Sequence, residues 1–327
     1  MQAAIDIDLD APGRQSGRLS LSIDNGERRI TTPIFRIAQG DGPTLVLTAG
    51  VHGDEYEGQI ALAELARSLD PGGIRGRVII LPRVNAPACD AGQRSTPTDG
   101  LNLNRAFPGR ADGTFTSRLA HAIETEIYAR ADYAADFHCG GTILHFLPST
   151  LFVVTGDRQE DRRRLDLACG FGARRCMLFG AKTMGVEVSI DAAMLRQKVI
   201  GISGEYGGSA AVTPDAMALC RSGLTRLLGH LGITPQQAPP EPVEPELIDV
   251  RPEECYVLAE AEGTFEPLAQ LGETVADGAL VARLHRLDRE PLPVQARTGG
   301  VVMARRSLAR SAAGDWLYII GRPVTAF

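Results

Sequence analysis

Lysine is nearly absent from this chain of 327 residues: only Lys182 and Lys198 occur, and the remaining basic charge is arginine. Positive charge is not in excess, since 34 Lys+Arg stand against 40 Asp+Glu for a net charge of -6. No basic stripe is available to neutralise a phosphate backbone, so nucleic acid is not an expected partner. Long apolar runs are missing too. The longest, such as 44–49 and 78–81, fall far short of the roughly 20 residues that cross a bilayer, so no membrane span is expected. The first residues, MQAAIDIDLDAPGRQ, have neither a basic leader nor the apolar stretch of a signal peptide, and export is not expected. Six cysteines lie scattered without CxxC spacing, and a core of this size needs no covalent staples. They read as reduced thiols of a cytoplasmic protein. The sequence leaves a homo-oligomer open.

What is present is the composition of a globular protein, 44% hydrophobic and 23% charged, long enough for about two domains at roughly 150 residues each. Apolar and polar residues alternate from Gly17 to Ala38 around Asp24-Asn25-Gly26, which predicts a β-hairpin. Buried strands are expected at 44–49, 78–81, 134–138 and 199–203, interleaved with helices at 57–68, 116–129 and 214–228. That alternation predicts an α/β layer structure, a mostly parallel or mixed sheet with helices on both faces. Six prolines between Thr234 and Pro252 stiffen the chain and divide it into residues 1–240 and 241–327. Beyond them, short alternating segments between glycines predict an all-β unit. This unit resembles a barrel-sandwich domain of the biotinyl/lipoyl type, but no lysine follows Lys198, so it has no amine for a swinging-arm carrier.

Chemistry concentrates in GVHGDEYEG, residues 50–58, which follows a buried strand and opens a helix. His52 and Glu55 stand three apart, a spacing that can aim an imidazole and a carboxylate at one divalent cation. His138, in DFHCGG at the end of a later strand, is the candidate third ligand. Two imidazoles and one carboxylate leave a position open on a Zn²⁺ ion, the composition of a catalytic rather than a structural site. An HxxE or a strand-end histidine alone is common, and the combination is what carries the reading. Glycines beside both histidines (Gly53, Gly140, Gly141) suggest close approach by something other than side chains. Asp136 shares the strand face of His138 and could orient it or cap the strand end.

The strings HGDE, NLNRAFPG, DFHCGG and GEYGG, in this order and spacing, resemble the succinylglutamate desuccinylase/aspartoacylase family of zinc amidohydrolases, with the likeness running over most of 40–325. The resemblance implies a zinc-carboxypeptidase-like mixed sheet and a smaller carboxy-terminal β-domain. It implies one Zn²⁺ per chain held by His52, Glu55 and His138, and Glu205 as general base. Amide hydrolysis needs such a carboxylate to deprotonate the attacking water and pass a proton to the departing amine. Glu205 follows an apolar run and precedes Gly207-Gly208, as a strand end would. The family's arginine upstream of its Asn-Arg pair corresponds to Arg94, suited to an oxyanion. Asn104 and Arg105 match the pair that holds a substrate carboxylate. Two departures are Asn102, where many members carry Asp, and Cys139, where relatives often have Ser. Within the family, GVHGDEYEG, DGLNLNRAFPG and FEPLAQLGETV look closest to the subgroup that deacetylates N-acetyl-diaminobutyrate.

The expected function is hydrolysis of a small N-acyl amino acid, acetyl- or succinyl-type, to a carboxylate and a free amino acid. A carboxypeptidase-like hydrolase of a short peptide and a metal-binding module without activity are the alternatives. A serine or cysteine hydrolase fits poorly, because Gly201-Ile202-Ser203-Gly204 brings its second glycine one residue early and Cys139 should point away from His138. A P-loop is excluded at Phe179-Gly180-Ala181-Lys182-Thr183, where alanine precedes the lysine.

Overall fold

The computed structural model describes residues 3–23, 28–183, 185–235, 243–287 and 289–327. The expected turn at Asp24-Asn25-Gly26, the division at 240/241, and Pro239, Pro240 and Pro242 lie outside the described residues. The strands β1 (Ala4–Ile5), β2 (Gly13–Ile23) and β3 (Arg28–Gln39) form an antiparallel edge. Then come β4 (Thr44–Ala49), α1 (Glu57–Ser68), β5 (Gly76–Leu81), α2 (Ala86–Ala91) and α3 (Phe115–Ala122). The next elements are β6 (Tyr133–His138), β7 (Leu144–Phe146), β8 (Ser149–Val154), α4 (Arg158–Phe171) and β9 (Arg175–Gly180). They are followed by α5 (Ile190–Arg196), β10 (Ile200–Glu205) and α6 (Pro214–His230).

In space the order runs β3-β5-β4-β6-β10-β8-β9. The central strands β5, β4, β6 and β10 are parallel, whereas β8 runs antiparallel to β10. The sheet is thus mixed, as expected.

Period-two alternation explains why helices cover both faces. Leu45, Leu47 and Ala49 of β4, with Ala135 and Phe137 of β6, pack in one cluster with Leu62 of α1, Leu167 of α4 and Leu224 of α6. Val46 and Ala134 point the other way and join Leu119 of α3 and Ala193 of α5. The same alternation puts Asp136 and His138 on the face of Ala134. The in-register parallel pairs Thr48–Asp136, Ser203–Asp136 and Glu205–His138 then place polar residues of three strands side by side.

Sequence and structure differ in the segment expected as one helix over 116–129. Regular α-helix ends at Ala122, and a π turn over Ile123–Ile127 follows before a short 3-10 turn. The wider turn buries Ile123, Ile127 and Tyr128 together, and brings the Tyr128 hydroxyl within 3.0 Å of Thr48 Oγ1.

The carboxy-terminal part is β-rich, as expected: β11 (Glu246–Asp249), β12 (Tyr256–Leu258), β13 (Gly263–Pro267), β14 (Thr274–Val275) and β15 (Leu280–Arg286), then β16 (Arg289–Gln295), β17 (Gly300–Arg306), β18 (Arg310–Ser311) and β19 (Trp316–Val324). It has its own core around Phe265, Leu284 and Tyr318. It also adds to the large sheet, where β11 pairs with β9 and β17 pairs with β7. Among the described residues no helix is long and apolar enough to cross a membrane.

Phe137 is 1% exposed and packs edge-on against Phe171 and at 5.4 Å from Tyr206. It holds β6 against α4 directly beneath His138. Phe137→Ala should cost about 3–5 kcal/mol of stability by denaturant unfolding.

Candidate metal centre and active site

The strand ends of β4, β6 and β10 lie at one edge of the sheet, where open α/β sheets carry their sites. The loop after β4 carries His52, Asp54 and Glu55, all 2–3% exposed. Gly53 lets this loop press on α2: an added Cβ there would lie 1.9 Å from the Ala88 carbonyl oxygen. The Gly53 N–H donates to the Gln93 carbonyl at 2.8 Å, which brings the neighbouring Arg94 to the site. Asp54 ties the loop to the one after β6, accepting from the Thr142 N–H at 2.8 Å. The close approach anticipated at the glycines is therefore made by the protein itself, at Gly53 by the backbone of α2.

Glu55 sits between the two imidazoles. His52 Nδ1 lies 2.7 Å from its Oε1 and His138 Nδ1 2.8 Å from its Oε2, and the Cys139 N–H donates to Oε2 at 3.1 Å. The three donor atoms fall within 4.8 Å of one another. The outer nitrogens are also engaged. Asn102 Oδ1 accepts the Asn104 N–H at 2.8 Å, which identifies it as the oxygen, so His52 Nε2 at 3.1 Å must carry the proton. His138 Nε2 lies 2.5 Å from Asp136 Oδ2, and Thr48 Oγ1 donates to the other oxygen of that carboxylate. Nδ1 of each imidazole thus faces the Glu55 carboxylate, while Nε2 of His52 meets the Asn102 oxygen and Nε2 of His138 lies against the Asp136 carboxylate without hydrogen-bond geometry. This donor set fits a divalent cation.

Without a cation the same groups act on one another as charges. Burial alone would raise the Glu55 carboxyl, but His52 and His138 outweigh it and hold it well below the usual range. Glu205 behaves in the opposite way. Burial above all, and repulsion from Glu55 next, push its carboxyl up to about 8, against the pull of His138 and Arg94. Its Oε2 is buried without a hydrogen-bond partner. Arg94 Nη1 donates to Glu55 Oε1 at 3.2 Å from a partly open position.

Asn104 Oδ1 accepts the N–H of Ile190, the first residue of α5, at 2.8 Å, and Arg105 Nη1 donates to the Asn104 carbonyl at 2.7 Å. Gly185 makes room for Arg105, since a Cβ there would lie 2.4 Å from its Nε. His52, Glu55, Arg94, Asn104, Arg105, His138 and Glu205 all line one cavity of about 410 Å³. These seven are the residues to which the sequence assigned ligand, catalytic or substrate-binding roles.

The rival nucleophiles are not equipped for the role. Ser203 Oγ donates to Asp191 Oδ1 at 2.6 Å instead of meeting a histidine. The Cys139 thiol is buried beside Glu55 and Glu57, and burial above all pushes it well above its ordinary value. Several contributors had no motif to reveal them: Thr48, which only register places beside Asp136, Asp191 at the start of α5, and the far wall. That wall comes from the carboxy-terminal part through Tyr256, Arg306, Asp315, Trp316 and Ile319.

Such a centre is that of a hydrolase built to work with a metal ion. Residues 41–231 match the succinylglutamate desuccinylase/aspartoacylase catalytic domain. The chain is 36% identical over 325 residues to the N-alpha-acetyl-L-2,4-diaminobutyric acid deacetylase of Halomonas elongata, covering 97% of this chain and 94% of that protein. Among solved structures, a succinylglutamate desuccinylase/aspartoacylase from Rhodobacter sphaeroides superposes with a TM-score of 0.92 at 34% identity, covering 99% of this chain and 100% of the other. The product-bound ectoine utilization protein EutE from Ruegeria pomeroyi gives 0.91 at 33% identity, with 98% of each chain covered. The chain belongs to the succinylglutamate desuccinylase/aspartoacylase family. It is an enzyme that hydrolyses the amide bond of N-acyl amino acids.

In the metal-free protein Glu205 keeps a proton up to about pH 8, whereas the unfolded chain releases it near 4.5. Its contribution to stability is therefore full below the unfolded value and is lost as pH rises through the folded one. Melting temperatures of metal-stripped protein should decline across this window, and Glu205→Gln should flatten the decline.

Proposed function

We propose that this chain is a zinc-dependent deacetylase acting on an N-acetylated diamino acid of the N-alpha-acetyl-2,4-diaminobutyrate type. The observation that carries the reading is the convergence of His52, Glu55 and His138 beside the unpartnered carboxyl of Glu205 within one cavity. The substrate type rests on the 36% identity to the Halomonas elongata deacetylase. In this reading one Zn²⁺ is held by His52 Nδ1, a Glu55 carboxylate oxygen and His138 Nδ1. When bound, zinc supplies a Lewis acid for the acyl carbonyl and makes water more acidic.

The chain's own residues do the rest. Glu205 takes the proton of the attacking water and delivers it to the departing amine, for which its desolvated position suits it. A cation at the three donors favours its ionised form. The Arg94 guanidinium donates to the oxygen that gains negative charge as the carbonyl is attacked. Arg105 pairs with the substrate carboxylate, and Asn104, whose side-chain oxygen is already engaged by Ile190, offers its amide N–H groups. Asp136 holds the His138 ring in its orientation.

The apolar lining around Phe179, Val186 and Trp316 keeps bulk water from the bond being cut. The same reading treats residues 1–240 as the catalytic unit and 241–327 as a β-rich unit. Six free thiols support a cytoplasmic location.

Glu205→Gln should keep about one zinc per chain yet lower kcat by roughly 10²- to 10⁴-fold. His52→Ala and His138→Ala should lose the metal. Asp136→Asn should weaken zinc binding about 10- to 100-fold in a competition titration. A panel of acetyl-, succinyl- and formyl-amino acids should show hydrolysis that a chelator abolishes and zinc restores. Full zinc occupancy with no turnover on any member would leave a binding protein in place of an enzyme.

A further inference from the structure

Four carboxylates line the cavity: Glu55, Asp191, Glu205 and Asp315. Three are accounted for. Glu55 lies between the imidazoles, Glu205 faces the reacting bond, and Asp315 Oδ2 lies 2.7 Å from Arg306 Nη2 while also accepting the Ala312 N–H at 2.8 Å. Asp191 has only hydroxyls. Ser203 Oγ donates to its Oδ1 at 2.6 Å and Ser189 Oγ lies 3.4 Å from its Oδ2. Among the described residues no basic side chain forms an ion pair with it, and the charges of Arg105 and His138 act on it only from beyond contact distance.

Asp191 is also well placed. It sits in the first turn of α5, whose Ile190 N–H is bonded to Asn104 of the carboxylate-binding pair. Its partner Ser203 stands two residues before Glu205, on the same face of β10. Asp191 is thus bonded to the strand that carries Glu205, and its neighbour Ile190 is bonded to Asn104.

A partly buried carboxylate with no cation in contact is costly, and an arriving ammonium relieves that cost where a neutral group of equal size leaves it in place. We propose that Asp191 determines specificity by receiving the free side-chain ammonium of an N-acyl diamino acid whose carboxylate lies on Arg105 and Asn104. The proposal rests on the diamino-acid reading above and names the residue that enforces it. Desuccinylase or aspartoacylase substrates, with an acidic side chain, would meet repulsion at this position.

The test compares kcat/KM for N-alpha-acetyl-2,4-diaminobutyrate and for N-acetylnorvaline, which has a methyl group where the first has the ammonium. Wild type and Asp191→Asn are measured with zinc content checked in both. Wild type should favour the cationic compound by about 30-fold or more, and the variant should bring the ratio near one. A variant that keeps the wild-type ratio overturns the role of Asp191 and leaves the diamino-acid reading standing. A wild type with no preference overturns the diamino-acid reading and the ammonium site with it. Should Asp191→Asn fail to fold, a crystal structure of the wild-type holoenzyme with 2,4-diaminobutyrate decides: its side-chain nitrogen against the Asp191 carboxylate supports the proposal, and a position elsewhere in the cavity overturns it.

Discussion

The Glu55 carboxylate is where three remote stretches of chain meet, and most of the surrounding structure exists to bring them there. His52 reaches it from its own loop, His138 and the Cys139 N–H from the end of β6, and Arg94 from beyond α2. A carboxylate this buried is tolerable only with such company. The Asp54 bond to Thr142, the tight seat of Gly53 on α2 and the common direction of β4, β6 and β10 all constrain that one encounter. Two acceptors, Asn102 and Asp136, turn the imidazoles so that the same nitrogen of each faces inward.

The central sheet was legible because its strands are short apolar runs ending at glycine or at polar motifs, and local pattern is enough to find those. Strand β4 at Thr44–Ala49 and helix α1 at Glu57–Ser68 fall where the periodicity puts them. Of the seven candidate residues, His52, Glu55, His138 and Glu205 were legible because they lie in compact motifs at or just after strand ends, which open sheets gather on one edge, whereas Arg94, Asn104 and Arg105 lie in the loop and turn after α2 and were found through the family resemblance. Other features depend on contacts between distant parts of the chain. Thr48 reads as an ordinary strand residue until register sets it against Asp136. Asp191 reads as a helix-start acid until packing turns it into the cavity. The π turn after α3 answers to the burial of Ile127 and Tyr128, and a continuous helical periodicity does not reveal it.

Asn102 shows how a neutral substitute can preserve geometry. Its oxygen receives both the His52 N–H and the Asn104 N–H, so the amide caps the turn bearing Asn104 and Arg105 while steering the imidazole. An amide does this without adding negative charge beside the His52–Glu55–His138 cluster, whereas His138 has the Asp136 carboxylate behind it. Cys139 is similarly quiet, a small buried group whose backbone N–H supports Glu55.

The cavity is assembled from two sources. Its reactive floor comes from the sheet edge, while Tyr256, Trp316 and Ile319 on the opposite side belong to the last quarter of the chain. Evolution can therefore retailor which molecule is admitted by altering that distal wall, with the hydrolytic apparatus left untouched. Residues far apart in one polypeptide thus share in shaping a single entrance, and change in the later stretch can adjust what Asp191 and Arg105 are offered.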